Sequence, residues 1–476
     1  MFDKFHEECA VIGVINNTEA AKYCYLGLYA MQHRGQEGAG IVSTDTNEMT
    51  AYRDMGLVAD VFDNSVLEKL EGSAALGHTR YATYGGKDWQ NLQPFVANFS
   101  EDSLALAHNG NLINAAELRR ELEKHGAIFA STSDSEVILH LTARASEPTI
   151  VEKLASALRQ VHGAYSLAVM TNDRLLAVRD PAGVRPLSLG KIGDGYIIAS
   201  ETCAFDLVGA KFIRDIEPGE ILEITKDGQL NSNFSIRSGD AAFCVFEYIY
   251  FARPDSNVGG KNVYLARKRL GHELARERPA SADVVIPVPD SGVAAALGYA
   301  QESGLPMEFG LIRNHYVGRT FIEPSQSIRD FGVKVKLNPN EKLIRGKRLV
   351  VVDDSIVRGT TCRKLVKMLR DAGAAEVHFR ISSPPTTGSC YYGIDTPSAS
   401  ELIASTHSVE EIRQYIGADT LGYLSIEGMY RAIESPRSGY CDACFSGEYR
   451  LGRPASDEKS GCCGVKSARP RSRTKK

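Results

Sequence analysis

Val350–Thr361 reads VVVDDSIVRGTT. Its apolar run makes a short buried strand, and two adjacent carboxylates, Asp353 and Asp354, stand where that strand ends. Open α/β sheets bind their ligands in the loops at the carboxyl ends of strands. Here the loop continues through Ser355, Ile356, Val357, Arg358 and Gly359 into Thr360 and Thr361, which open a helix predicted to run to Ala372. Free backbone N–H groups at a helix start, with small hydroxyl side chains around them, form a cradle for an anion. Carboxylates beside such a cradle repel a bare anion. They suit a ligand whose sugar hydroxyls donate to them, or a bridging divalent cation.

The neighbouring segments keep the same rhythm of strand then helix. Asp283–Val288 (DVVIPV) leads into Gly292–Ser303, and Val377–Ser382 is a further apolar strand. Short buried strands alternating with helices predict a parallel, doubly wound sheet. Pro287–Gly292 (PVPDSG) ends one strand and opens a helix, as the first motif does. Arg313–Asn340 is long, polar and basic, which inside a compact domain points to a functional lid. Together these strings resemble the type I phosphoribosyltransferases. The resemblance implies that Asp353 and Asp354 meet the ribose hydroxyls of phosphoribosyl pyrophosphate (PRPP) and that Ser355–Thr361 wraps the 5-phosphate. It also implies that Asp290, Ser291 and Gly292 meet the pyrophosphate, with Mg²⁺ held by Ser291, Asp353 and Asp354. The segment 313–340, with Arg313, Arg319, Arg329, Lys334 and Lys336, resembles that family's hood over the substrate.

The first half has another texture. Ser166–Thr171, Leu175–Arg179, Pro186–Gly190 and Tyr196–Ser200 are closely spaced strands broken by Gly, Pro, Asn or Asp, the pattern of antiparallel sheets. Ala20–His33, Ala115–His125 and Ser133–Ala145 carry apolar residues at helical spacing, so an α+β layered domain is predicted. Cys9 lies in EECAVIGV, followed in order by HRGQEG (33–38), HTRYAT (78–83), HNGN (108–111), SDSE (133–136) and DPAGVRP (180–186). That ordered set resembles the glutaminase domain of the class II glutamine amidotransferases, whose fold is the αββα sandwich of the N-terminal-nucleophile hydrolases. The resemblance makes Cys9 the nucleophile, with Asn109 and the Gly110 N–H as the oxyanion hole. It sets Arg80 on the α-carboxylate of glutamine and Asp134 on its α-ammonium, with Thr79, Arg34 and Gly35 in the same pocket. A planar cation at one end and an anion at the other suit a zwitterion.

A thiol attacking a carboxamide needs a base that takes its proton and later protonates departing ammonia. An α-amino group, with a pKa of roughly 7.7–8.0, does both near neutral pH. An internal Cys9 has its nitrogen in a peptide bond, so Met1–Glu8 is expected to be a propeptide removed to expose it.

Ten cysteines among 476 residues are too few for a disulfide framework, and MFDKFHEEC lacks the parts of a signal peptide. A reducing cytoplasm is expected, with metal-binding or catalytic roles for some thiols. Cys441 and Cys444 form a CxxC, a spacing shared by redox dithiols, zinc knuckles and iron–sulfur clusters; Cys244 and Cys390 are candidate further donors. The body as a whole, from about residue 9 to 450, resembles the amidophosphoribosyltransferases, and their cluster-bearing branch uses four cysteines in these contexts for a [4Fe–4S] cluster. Zinc in the same cage is the rival. Cys24, Cys203 and Cys362 are expected to be packed thiols, and Cys462 and Cys463 fall in the tail.

The expected organisation is therefore a propeptide (1–8), a glutaminase domain (9–235), a phosphoribosyltransferase domain (236–450) and a basic tail (451–476), in which disorder is expected. The resemblance implies a homo-oligomer, dimer or tetramer, and feedback inhibition by purine nucleotides. Lys466–Lys476 concentrates positive charge at one end of a chain with net charge −4, leaving an acidic body that argues against nucleic-acid binding. No apolar run is long enough to span a membrane. Another amidotransferase would share the first half but lack VVVDDSIVRGTT; a PRPP-sensing DNA-binding regulator would share the second half but need a basic surface.

Overall fold

Ala10–Ile15 (AVIGVI) is buried at every position, because it becomes the central strand of a sheet covered on both faces. The computed structural model describes residues 9–81, 88–99, 102–314 and 337–455. Among these, seven strands form the first sheet, where Ala10–Ile15 runs antiparallel to Gly195–Ala199 on one side and Ala74–Arg80 on the other. A second sheet of six strands sets Asp102–Leu112 between Phe95–Phe99 and Gly163–Met170. The two-residue period of a strand sorts the side chains. Val11 and Ile15 point between the sheets, against Ala105, Ala107, Ala168 and Met170. Ala10, Ile12 and Val14 point outward beneath the helix Ala20–Ala30. On the far side Leu104 and Leu106 face the helices Ser135–Arg144 and Ile150–Leu158. The αββα sandwich expected from the motifs is present. One helix starts later than its pattern suggested, at Ser135, since the preceding Asp134 gives its carboxylate to the Leu112 N–H at 2.9 Å.

The second half holds a four-stranded parallel sheet in the order Val284–Pro287, Arg348–Asp353, Glu376–Ile381 and Thr420–Tyr423. Again the faces alternate. Val285, Val350 and Val352 meet the helices Val263–Glu277 and Val293–Ser303, while Val284, Ile286, Leu349 and Val351 meet Thr360–Asp371 and Val409–Ile416. Helix Val263–Glu277 crosses its neighbour at bare backbone. A Cβ on Gly271 would stand 2.7 Å from the carbonyl carbon of Ala295, and one on Gly298 would stand 2.9 Å from that of Lys268.

The halves share a core. Ala164, Ala182 and Val184 of the sandwich pack with Phe243, Phe246 and Tyr392 of the second half. The connecting chain is stitched to the sandwich by Ala242 N–H to Ala182 O at 2.7 Å and Cys244 N–H to Val184 O at 3.1 Å. Leu311–Arg313 and Leu337–Pro339 pair antiparallel, so the basic segment between them leaves and re-enters at one place. Its residues 315–336, with Arg319, Arg329, Lys334 and Lys336, lie outside the described residues, as do Met1–Glu8, residues 82–87 and the tail from 456 with Cys462 and Cys463. Among the described residues no helix is long and apolar enough to cross a membrane.

Candidate active sites

Cys9 immediately precedes the central strand, whose first residue pairs with Thr79, and this sets the thiol beside the end of the strand carrying Arg80. The thiol is buried and donates to the Tyr81 carbonyl at 3.5 Å. Burial pushes it above its ordinary pKa; the Arg80 guanidinium opposes this, and the Asp134 and Glu37 carboxylates add to it. Arg80, Asp134 and Cys9 are therefore close enough to feel one another, although they come from three separate strings. Gly35 locks its turn onto this strand end: a Cβ there would stand 2.7 Å from the Thr79 carbonyl carbon and 2.8 Å from the Arg80 nitrogen.

Asn109 sits on the second sheet. Both polar atoms of its side-chain amide are buried with no partner, an arrangement that costs free energy unless a ligand completes it. Its surroundings are well tied. Gln93 accepts the His108 N–H at 2.7 Å, the His108 ring meets Ser135 Oγ at 2.8 Å, and the His78 ring donates to the His108 carbonyl at 3.1 Å across the sandwich. Burial lowers the His78 pKa to about 3, so that ring is neutral at working pH.

Arg34 immediately precedes Gly35. Its guanidinium is buried against Glu201 and Glu247, with Arg34 Nη2 2.5 Å from Glu247 Oε2. Glu247 also accepts from Arg185, while Glu201 accepts from His33 at 2.7 Å and from Ser256 Oγ at 2.6 Å. Burial alone would raise the Glu201 pKa, yet Arg34 and His33 hold it well below the carboxylate range. Arg34, Arg185, Glu201 and Glu247, with His33 at the edge, form an ionic knot spanning both halves, which sequence reading missed. The available signal was an acid, Glu247, inside the aromatic run FEYIYF. Removing one partner of a buried pair strands the others, so Glu247→Ala is expected to lower stability by about 3–5 kcal/mol in urea denaturation.

In the second half Asp353 and Asp354 are both buried where their strand ends. Asp353 accepts the Asp354 N–H at 2.9 Å, and Ser355 Oγ donates to Asp354 at 2.5 Å. Gly359, at φ +75°, turns the loop into the helix Thr360–Asp371. Gly292 opens the neighbouring helix so close to the first motif that a Cβ there would stand 2.5 Å from the Val352 carbonyl oxygen. The two loops expected to meet PRPP are thus adjacent. Asp290 is ion-paired with Arg313 at the base of the basic segment, and Arg358 with Glu401 at 2.9 Å. Sequence reading missed Arg267, a fully buried guanidinium that donates to the carbonyls of Tyr248 at 3.0 Å and Ala252 at 2.7 Å. Burial lowers its pKa to about 10 against the pull of Asp354.

Cys244 and Cys441 stand opposite one another in a short parallel pairing. Cys444 feels Cys244, Cys390 and Cys441, so the four thiols share a neighbourhood; burial raises Cys244 and Cys441 to about 12. The donor chemistry suits a soft metal group. Among the described residues, no group of three or more His, Cys, Asp or Glu side chains is arranged to hold a metal ion. The eight described cysteines are free thiols. Cys24 and Cys203 are packed in the sandwich and Cys362 beneath the parallel sheet.

Residues 78–206 match the family model of a glutamine amidotransferase domain, and residues 260–383 that of a phosphoribosyl transferase domain. An amidophosphoribosyltransferase of Bacillus subtilis is 52% identical over 449 residues, covering 93% of this chain and 94% of the relative. One from Rhizobium etli is also 52% identical, covering 94% and 92%. Among solved structures, the B. subtilis glutamine PRPP amidotransferase complexed with ADP and GMP superposes with a TM-score of 0.89 at 51% identity, covering 93% of this chain and 97% of the other.

Proposed function

The chain belongs to the amidophosphoribosyltransferases, and we infer from its two sites how it divides the reaction between them. It is a transferase of the first step of de novo purine nucleotide biosynthesis, turning PRPP, glutamine and water into 5-phosphoribosylamine, glutamate and pyrophosphate. In our reading residues 9–235 release ammonia, residues 236–450 add it to the ribose, and 451–476 is an appendage outside both sites.

Cys9 is the nucleophile, freed by removal of Met1–Glu8. Its α-amino group takes the thiol proton as sulfur attacks the glutamine carboxamide. Asn109 and the Gly110 N–H hold the resulting oxyanion; as it collapses, the α-ammonium returns its proton to the departing nitrogen, releasing ammonia and leaving a thioester that water hydrolyses to glutamate and the free thiol. Arg80 and Asp134 grip the two ends of glutamine, with Thr79 and Gly35 shaping the pocket; Arg34 serves it through the ionic knot. Ammonia then reaches C1 of PRPP through a channel formed as segment 313–340 closes. It displaces pyrophosphate while Asp353 and Asp354 hold the ribose hydroxyls and Ser355–Thr361 holds the 5-phosphate. Mg²⁺, one per subunit, suits the oxygen donors Asp353, Asp354 and Ser291, and when bound supplies charge neutralisation at the pyrophosphate.

One observation carries this division. A buried thiol and an unpartnered buried amide occupy one half, while paired buried carboxylates opening onto a helix start occupy the other. If closure couples the halves, glutamate release should rise several-fold when PRPP is added; a rate indifferent to PRPP would sink the coupling.

Cys244, Cys390, Cys441 and Cys444 hold one [4Fe–4S] cluster per subunit in this reading, tying the C-terminal segment to the transferase domain. Anaerobically purified protein should be brown, with about four irons and four sulfides per chain; a colourless preparation carrying one zinc would overturn the assignment. Purine nucleotides act as feedback inhibitors, a view supported by the ADP and GMP of the B. subtilis structure, since a nucleotide presents a ribose phosphate to the Ser355–Thr361 cradle. We place the enzyme in the cytoplasm as a homo-oligomer, dimer or tetramer.

A further inference from the structure

Gly110 is packed against two stretches of backbone. It has φ +149°, and a Cβ on it would stand 2.8 Å from the Ala164 carbonyl carbon of the adjacent strand. Gly393, from the second half of the chain, also abuts it. Its φ is +114°, and a Cβ there would fall 3.0 Å from the Gly110 Cα and 3.1 Å from the Gly110 carbonyl carbon. Two residues without side chains are thus stacked directly, which only glycine at both positions permits. The next residue adds a bond, as Asn111 Nδ2 donates to the Tyr391 carbonyl at 2.9 Å.

The turn carrying Gly393 is braced from behind. The buried Tyr392 side chain donates its hydroxyl to Gly452 O at 2.8 Å and accepts the Leu451 N–H at 3.1 Å. The Tyr391 and Tyr449 rings pack with centroids 5.1 Å apart, and the Cys390 N–H donates to Thr396 Oγ1 at 2.7 Å. A close-packed contact of this kind passes displacement on without absorbing it.

We propose that the turn Tyr391–Gly393 of the transferase half is a positioning element for glutamine hydrolysis, seating Gly110 so that its N–H meets the oxyanion. It rests on the reading of Asn109 and Gly110 as the oxyanion hole. The contact is made on the backbone of Gly110 itself, so it should govern turnover and leave glutamine binding alone.

The test uses the full-length enzyme with PRPP present, measuring kcat and KM for glutamine in glutamate release beside ammonia-dependent phosphoribosylamine synthesis. Gly393→Ala pushes a methyl group into Gly110, and Asn111→Ala removes the bond to Tyr391 without adding an atom. A misplacement of ~1 Å costs about 100-fold, so a partial shift should lower the glutamine kcat at least tenfold. The glutamine KM and the ammonia-dependent rate should stay within about twofold. A parallel fall in both activities, or no fall in either, overturns the proposal. If Gly393→Ala is insoluble, Asn111→Ala decides alone. Asn109→Ala separates the two levels. Should it keep glutaminase activity, the oxyanion-hole reading fails and the positioning role with it. Should it lose that activity while the other two variants keep theirs, only the positioning role fails.

Discussion

Cys9→Ala is expected to abolish glutamine-dependent synthesis of phosphoribosylamine while ammonia-dependent synthesis continues within about twofold of the parent rate. Deleting the nucleophile of a covalent mechanism typically costs about 10⁴-fold or more, because the groups around it act as a unit. Here the loss should be near the larger end. The thiol is buried and held above its ordinary pKa, so unaided it is protonated and unreactive at neutral pH. Its reactivity depends on a base in contact with it, and the proposed base is its own α-amino group. Intact mass ties these together: active parent protein should begin at Cys9, and retained Met1–Glu8 in fully active enzyme would remove the base from the scheme. The substitution is mild structurally. Alanine at the head of a strand whose next residue, Ala10, is already fully buried leaves the sheet intact. If ammonia-dependent synthesis fell in step with glutamine use, the two halves would not be separable sites.

What could be read in advance was whatever is written locally. VVVDDSIVRGTT places strand, carboxylates and helix start within twelve consecutive positions, and the structure keeps them in that order. The apolar run VVIP likewise marks a short buried strand, and only the fold shows which of its faces meets which layer. Partners brought together by the fold were invisible. Arg34 meets Glu201 across 167 positions and Glu247 across 213, and no periodicity reports such pairs. Arg34 illustrates the difference: its string HRGQEG points to glutamine, while its guanidinium is engaged by two buried acids. Gly393 is similar. In SCYYGID it reads as context for Cys390, and only the stacked backbones show that its missing side chain matters to Gly110. The cysteines are a further case: their strings point to a ligand set, and only the fold shows that the four lie in one neighbourhood.

Replacing the paired carboxylates should give the complementary result, loss of synthesis from glutamine and ammonia alike. Asp353 and Asp354 are each buried, and neither substitution changes volume appreciably when aspartate becomes asparagine. What changes is the strength of the hydrogen bonds offered to the ribose hydroxyls. A charge-assisted bond contributes about 1.5–3 kcal/mol, so each single variant should lose about 10- to 100-fold in kcat/KM for PRPP. Asp353→Asn with Asp354→Asn together should lose roughly the product if the two bonds act independently. The variants should differ in stability. The buried Arg267 guanidinium is bonded to carbonyl groups and draws part of its charge balance from Asp354. Asp354→Asn should therefore lower the melting temperature by several degrees, and Asp353→Asn should leave it near the parent value. Unequal activity with equal stability would mean that Asp354 does not serve Arg267. A normal ammonia-dependent rate in the double variant would mean that the ribose is held elsewhere, because the acceptor half must work whichever source supplies the nitrogen.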